Sequence, residues 1–171
     1  MRAAHRTIVV MRHAKAEQIG HTDFERALSR RGHADGEAAG AWLAALGVDP
    51  DHALVSAALR TRETWSAVAA GAAWSLEPAL DEGLYAAGPE TALDLVRALD
   101  PSVECVVVIG HNPTMAYLAS MLDDGEGDPE AGNALATGFP TSAVAVFAYS
   151  GDWPELDSAS ARLTGFHVAR G

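Results

Sequence analysis

Thr7-Ile8-Val9-Val10-Met11-Arg12-His13-Ala14-Lys15-Ala16 is the stretch on which the fold turns. Thr7 to Met11 is a short, uninterrupted run rich in β-branched residues. It lacks the in-out alternation of a half-solvated strand, so it predicts a strand buried on both faces. Arg12 and His13 follow it without a spacer. In open α/β sheets ligands bind just outside the carboxyl ends of the strands, so this pair stands where chemistry is expected.

Outward from that strand the pattern alternates between helix and strand. Ala39, Trp42, Leu43 and Leu46 recur at helical spacing, with Gly47 as a stop. His52 to Ser56 reads as a second strand, and Leu59 to Ala70 as a helix ended by Gly71. A weaker strand is expected at Trp74 to Leu76. Pro89 suits the first position of a helix lined by Leu93, Val96 and Leu99 and closed by Pro101. Val103 to Ile109 is the strongest strand. Asn112 and Pro113 make an N-cap and first turn for a helix carrying Met115, Leu118 and Leu122. Asp123 to Pro140, rich in glycine and acids, reads as a loop or partial lid. Ala143 to Tyr149 and Arg162 to Val168 complete the strands. The expected fold class is α/β, a three-layer sandwich around a mostly parallel central sheet with an antiparallel edge. No linker divides the chain, so residues 1–171 are expected to form one domain.

Composition narrows the function classes. The chain has 171 residues, is 49% hydrophobic and carries a net charge of −11. Nucleic acid and anionic membranes require clustered Lys and Arg, and no basic stripe is present, so neither is an expected partner. An anion site would have to be a local gathering of the 12 basic residues. The single cysteine, Cys105, lies mid-strand and reads as core packing; no intrachain disulfide can form. The amino-terminal stretch lacks the apolar core of a secretory signal, and no apolar run reaches the ~18 residues of a membrane span. A cytoplasmic protein is expected.

Three strand ends carry reactive residues: Arg12-His13, then Arg60 just after Ser56, then Gly110-His111. Helix N-termini at the same edge add free N–H groups. Two arginines and two histidines from distant parts of the chain would converge there on one anion. His5, His21, His33, His52 and His167 lack such a context and read as ordinary surface or hydrogen-bonded residues. His13 and Glu17 are four apart but lack a second histidine at metal-ligand spacing, so no metal and no cofactor are expected.

Arg12-His13-Ala14 resembles the RHG motif of the histidine phosphatase superfamily, also called phosphoglycerate mutase-like, with Ala14 in place of Gly. The Arg-His-Ala-Lys-Ala form is similar to the small SixA-type phosphohistidine phosphatases. Asp23-Phe24-Glu25-Arg26-Ala27-Leu28-Ser29-Arg30-Arg31-Gly32 resembles their D-x-x-R-P-L-T-x-x-G segment, with Ala27 for Pro. Ser56-Ala57-Ala58-Leu59-Arg60-Thr61-Arg62-Glu63-Thr64 resembles S-P-x-x-R-A-x-Q-T, keeping Ser56, Arg60 and Thr64. Gly110-His111-Asn112-Pro113 matches the second histidine motif. The likeness spans residues 7 to about 149, in the family's order.

The resemblance implies a phosphoglycerate mutase-like fold and catalysis by His13, Arg12, Arg60 and His111. His13 would be the nucleophile, as a neutral imidazole. Arg12, Arg60 and His111 would bind the phosphoryl oxygens. Arg62 rivals Arg60 but lies two residues on, turned to another helix face. Family members acting on esters use a carboxylic acid to protonate the leaving group; Asp81 and Glu82 lie in the corresponding part of the chain. Imidazole is a better leaving group than an alkoxide, so a phosphohistidine substrate relaxes that need. The implied substrate is a phosphorylated protein bearing phosphohistidine. A small phosphorylated substrate, turned over by a broad phosphomonoesterase, is the alternative, and a non-catalytic phosphate-binding module is a further one.

Overall fold

A computed structural model describes residues 5–86 and 88–171. Residues 1–4, on which part of the leader reading rests, lie outside the described residues. Six strands form one sheet: β1 (His5–Arg12), β2 (His52–Ser56), β3 (Ala79–Asp81), β4 (Cys105–Gly110), β5 (Ala143–Ser150) and β6 (Arg162–Val168). Their order is β3-β2-β4-β1-β5-β6. The first four in that order run parallel; β5 is antiparallel to β1, and β6 to β5. The mostly parallel sheet with an antiparallel edge agrees with the sequence pattern.

β1 is central because its side chains are apolar on both faces. Ile8 and Val10 join one buried cluster, Val9 and Met11 the other. On the second face lie α1 (Arg30–Ala45) and α2 (Leu59–Ala72), through Ala39, Leu43, Trp65 and Val68. On the first lie α3 (Gly83–Ala86), α4 (Pro89–Arg97), α5 (Thr114–Leu122) and α6 (Pro129–Thr137). Each fully buried aliphatic side chain here contributes about 1.5–3 kcal/mol, which makes this three-layer packing the main stabilising term.

Two glycines bring α1 and α2 into backbone contact. A Cβ on Gly40 would lie 2.0 Å from the Val68 carbonyl oxygen, and one on Gly71 would lie 2.0 Å from that of Glu37. This close approach fixes α2, whose first turn carries Arg60. It also corrects the sequence reading of Gly71 as a helix stop. The helix continues to Ala72, and Ala73, at φ 60°, supplies the left-handed cap.

Other expectations need correction. Trp74 to Leu76 is not a strand; the strand beside β2 is β3, pairing Leu54 with Ala79. Trp74 instead stacks on Trp65 of α2, with ring centroids 6.0 Å apart, so its apolar surface is spent on the helix. The segment Asp123 to Pro140 is not all loop, because it contains α6. Asp128 caps that helix by accepting from the Ala131 amide at 2.8 Å, and Pro129 opens it. Asn112 and Pro113 precede α5 rather than forming its first turn. Asn112 Oδ1 still accepts from the Ala116 amide at 3.2 Å, so the expected capping chemistry is present.

Cys105 begins β4 at the edge remote from Arg12-His13. Burial pushes its thiol up to about 12, which suits a core residue. Among the described residues no helix is long and apolar enough to cross a membrane.

Candidate active site

The strands ending in Arg12, Ser56 and Gly110 are the neighbours β1, β2 and β4. Parallel pairing aligns their carboxyl ends at one edge. The topology alone therefore brings His13, Arg60 and His111 together with Arg12. The His13 and His111 rings lie 5.4 Å apart between centroids.

His13 is fixed by its backbone and its ring. Its amide donates to the Gly110 carbonyl at 3.0 Å, and its carbonyl accepts from the Ser142 amide at 3.1 Å. The next amide, Ala14, donates to Thr64 Oγ1 at 3.0 Å, while Thr64 Oγ1 donates to the Arg60 carbonyl at 2.6 Å. Thr64 thus ties the turn after β1 to α2. The ring stands 2.7 Å from the Ala14 carbonyl through Nδ1. A carbonyl only accepts, so Nδ1 carries the proton and Nε2 keeps its lone pair. The residue is only 8% exposed. Burial first, then the charges of Arg60 and Arg12, hold its pKa down to about 4, outweighing the Ala14 bond. The ring is neutral at physiological pH.

His111 is treated similarly. Its Nε2 stands 2.7 Å from Ser56 Oγ. Ser56 Oγ also accepts from the Ala58 amide at 3.4 Å. We assign the Ser56 hydroxyl as donor to His111 Nε2, a tautomer that leaves the ring proton on Nδ1. That Nδ1 is buried and without a hydrogen-bond partner. Burial, then Arg60 and His13, lower the ring to about 3.

The two arginines are oriented by carbonyls and one carboxylate. Arg12 Nη1 donates to the Phe139 carbonyl at 3.3 Å. That carbonyl also accepts from Asn112 Nδ2 at 2.7 Å, so the end of the 123–140 segment is part of the site wall. Arg60 donates through Nη1 to the Asp23 carbonyl at 2.8 Å and through Nη2 to Asp23 Oδ2 at 3.1 Å. The Nε groups of both arginines are buried and without partners. Buried unpaired N–H groups are costly unless an acceptor meets them. Two arginine Nε–H groups and His111 Nδ1–H therefore form a set of donors suited to an oxyanion. Burial also lowers Arg12 from its ordinary value.

Asp23 and Tyr85 had no role in the sequence reading. Asp23 Oδ2 accepts from the Tyr85 hydroxyl at 2.5 Å, and Oδ1 from Arg26 Nε at 3.0 Å. The Tyr85 bond, with those of Arg60 and Arg26, holds the Asp23 carboxyl at about 2 despite some desolvation. Tyr85 also packs edge-on to His111 at 5.5 Å. The D-x-x-R segment was visible in the sequence, but nothing local said that Asp23 meets Tyr85 and Arg60.

Of the expected proton donors, Asp81 pairs in register with Ser56, beside this group. Asp81 Oδ1 accepts from the Leu84 amide at 3.2 Å and so caps α3. Glu82 is exposed. Neither carboxyl is hydrogen-bonded to His13, Arg12, Arg60 or His111. Arg62, the rival to Arg60, is exposed, and its Nε donates to the Ala57 carbonyl. Among the described residues no three His, Cys, Asp or Glu side chains stand together as a metal site. A larger cavity of about 640 Å³ opens around Asp49, Asp51, Glu104 and Cys105, at the other edge of the sheet. It lacks Arg and Lys and suits an oxyanion poorly.

The profile of the histidine phosphatase superfamily (branch 1) matches residues 8–88. An uncharacterized protein of Mycobacterium tuberculosis (strain ATCC 25618 / H37Rv) is 36% identical over 163 residues, covering 94% of this chain and all of that one. A solved structure of a proposed phosphohistidine phosphatase SixA from Nakamurella multipartitia is 31% identical and covers 99% of both chains at a TM-score of 0.86. The protein histidine phosphatase SixA complexed with tungstate is 25% identical, covers 95% of this chain and 96% of its own, and has a TM-score of 0.75.

Proposed function

The chain belongs to the histidine phosphatase superfamily, and from that premise we propose that it is a protein phosphohistidine phosphatase working through a covalent phosphohistidine on His13. The observation that carries this reading is the pairing of a neutral His13, its Nε2 free, with three buried donors, Arg12 Nε, Arg60 Nε and His111 Nδ1.

The chemistry follows from those atoms. His13 Nε2 attacks phosphorus, and the N–P bond of the substrate phosphohistidine breaks. The substrate imidazole leaves with the electron pair of that bond, as a neutral ring when its other nitrogen is protonated. The His13–phosphoryl adduct is cationic at the ring, and the Nδ1–H bond to the Ala14 carbonyl supports that charge. Arg12, Arg60 and His111 neutralise the phosphoryl oxygens through the transition state. Water then attacks phosphorus, the N–P electrons return to Nε2, and both water protons leave on the phosphate product.

Neither the Asp81 nor the Glu82 carboxyl is hydrogen-bonded to the four residues, which suits an imidazole leaving group, since it needs less help from an acid than an alkoxide does. The names given to the two SixA structures support the same substrate class. The test is kcat/KM on a phosphohistidine-bearing protein against sugar and nucleotide phosphates. The proposal expects the former to exceed the latter by about tenfold or more, roughly 1.4 kcal/mol of transition-state discrimination. A strong preference for small esters would overturn the phosphohistidine assignment.

A further inference from the structure

We infer that a cleft beside His13 takes a second anionic group, carried on the same substrate as the transferred phosphoryl group. This rests on the phosphatase reading and adds a specificity element to it.

The cleft has a volume of about 340 Å³ and is lined by Arg12, His13, Lys15, Gln18, Arg26 and Thr141. Arg60 and His111 are not among its walls, so it extends from the phosphoryl site in another direction. Arg12 and His13 are common to both, which makes the cleft reachable by a group attached near the phosphorus.

Its charge runs against that of the molecule. The chain carries −11, and cations remote from this edge are matched by acids: Arg6 pairs with Asp152, Arg97 with Asp94 and Asp157, and Arg162 with Asp124. Arg12 and Lys15 have no acidic partner within ion-pair distance among the described residues, and Arg12 Nε is buried without a hydrogen bond. Arg26 shares one carboxylate, Asp23, with Arg60. Its Nη1 is anchored on the Glu17 carbonyl at 3.0 Å, which fixes its guanidinium at the cleft. A cleft walled by unbalanced cations focuses positive potential and concentrates anions. Gln18 adds an amide donor that carries no charge of its own. The ligand chemistry that fits is a carboxylate or a second phosphoryl group. On a protein substrate this is an acidic side chain flanking the phosphohistidine; on a small molecule it is a second acidic substituent.

The test measures competitive inhibition by inorganic phosphate, pyrophosphate and 2-phosphoglycolate, using the full chain and its Lys15→Gln and Gln18→Glu variants. In the wild type at least one of the bifunctional anions is expected to bind about tenfold more tightly than phosphate. An advantage for 2-phosphoglycolate identifies a carboxylate ligand, and one for pyrophosphate a second phosphoryl group. Each variant is expected to reduce that advantage about fivefold or more. Equal affinity for all three anions in the wild type would overturn the inference, as would variants that weaken all three alike. Phosphate that fails to compete at all would overturn the phosphatase reading itself, and the inference with it.

Discussion

Asp23 grips Arg60 twice, with its main-chain carbonyl on Nη1 at 2.8 Å and its carboxylate on Nη2 at 3.1 Å. The Arg60 side chain is 7% exposed while that of Asp23 is 54% exposed. A surface carboxylate thus orients a buried guanidinium and leaves its Nε without a hydrogen-bond partner, open to the phosphoryl oxygens of the proposed mechanism. Asp23 also places a negative charge beside Arg60, on which the proposed mechanism relies. Asp23→Asn removes the charge and weakens the grip together, and the two act on oxyanion binding in opposite directions, so kcat reports the loss of positioning. The expected outcome is a fall in kcat of about tenfold with no loss of affinity for tungstate or vanadate. An unchanged kcat in this variant would contradict the account of Asp23 as a positioning residue.

The low pKa of His13 has a signature in stability. Its folded value, about 4, lies below its ordinary 6.5. Between those limits the unfolded chain takes up a proton that the folded chain refuses. Stability from this group is complete above about pH 6.5 and is lost as pH falls toward 4. From pH 7 to pH 5 the loss amounts to about 2 kcal/mol. Urea unfolding of the wild type and His13→Gln at the two pH values checks this. The wild type is expected to lose about 2 kcal/mol more than the variant, and parallel losses would contradict the assignment.

The contact between α1 and α2 supports a third prediction. Gly40 has no room for a Cβ, whereas a Cβ on Gly132 in α6 would meet nothing within 4 Å. Alanine is the better helix former by about 1 kcal/mol. Gly132→Ala is therefore expected to stabilise the protein by about 0.5–1 kcal/mol. Gly40→Ala is expected to destabilise it by about 1–3 kcal/mol, because the overpacking outweighs the propensity gain. Chemical denaturation of both variants decides, and equal effects at the two positions would refute the contact.

The strands of the central sheet were readable because burial on both faces writes itself as an apolar run, as in Thr7 to Met11. The residues at their carboxyl ends were readable for the same reason, since a strand's end marks the sheet's ligand-binding edge. β3 was misplaced because Trp74 and Leu76 are apolar for the sake of α2, and a three-residue strand at the sheet's edge has too little pattern to compete. Gly71 was read as a stop because a glycine required by a neighbouring helix looks the same as one required by a turn. α6 was hidden by glycine and acid content, although Asp128-Pro129 is a capping signal. Asp23 and Tyr85 were unassigned because their meeting at Arg60 joins segments about sixty residues apart, and no local spacing encodes it.

The central claim is that phosphorus becomes bonded to His13. Brief incubation with a labelled phosphodonor, followed by acid and base treatment and mapping of the label, measures this directly. The account predicts an acid-labile, base-stable label on His13, absent from His13→Ala, which also loses turnover. An acid-stable label on another residue, or undiminished phosphatase activity in His13→Ala, would contradict it.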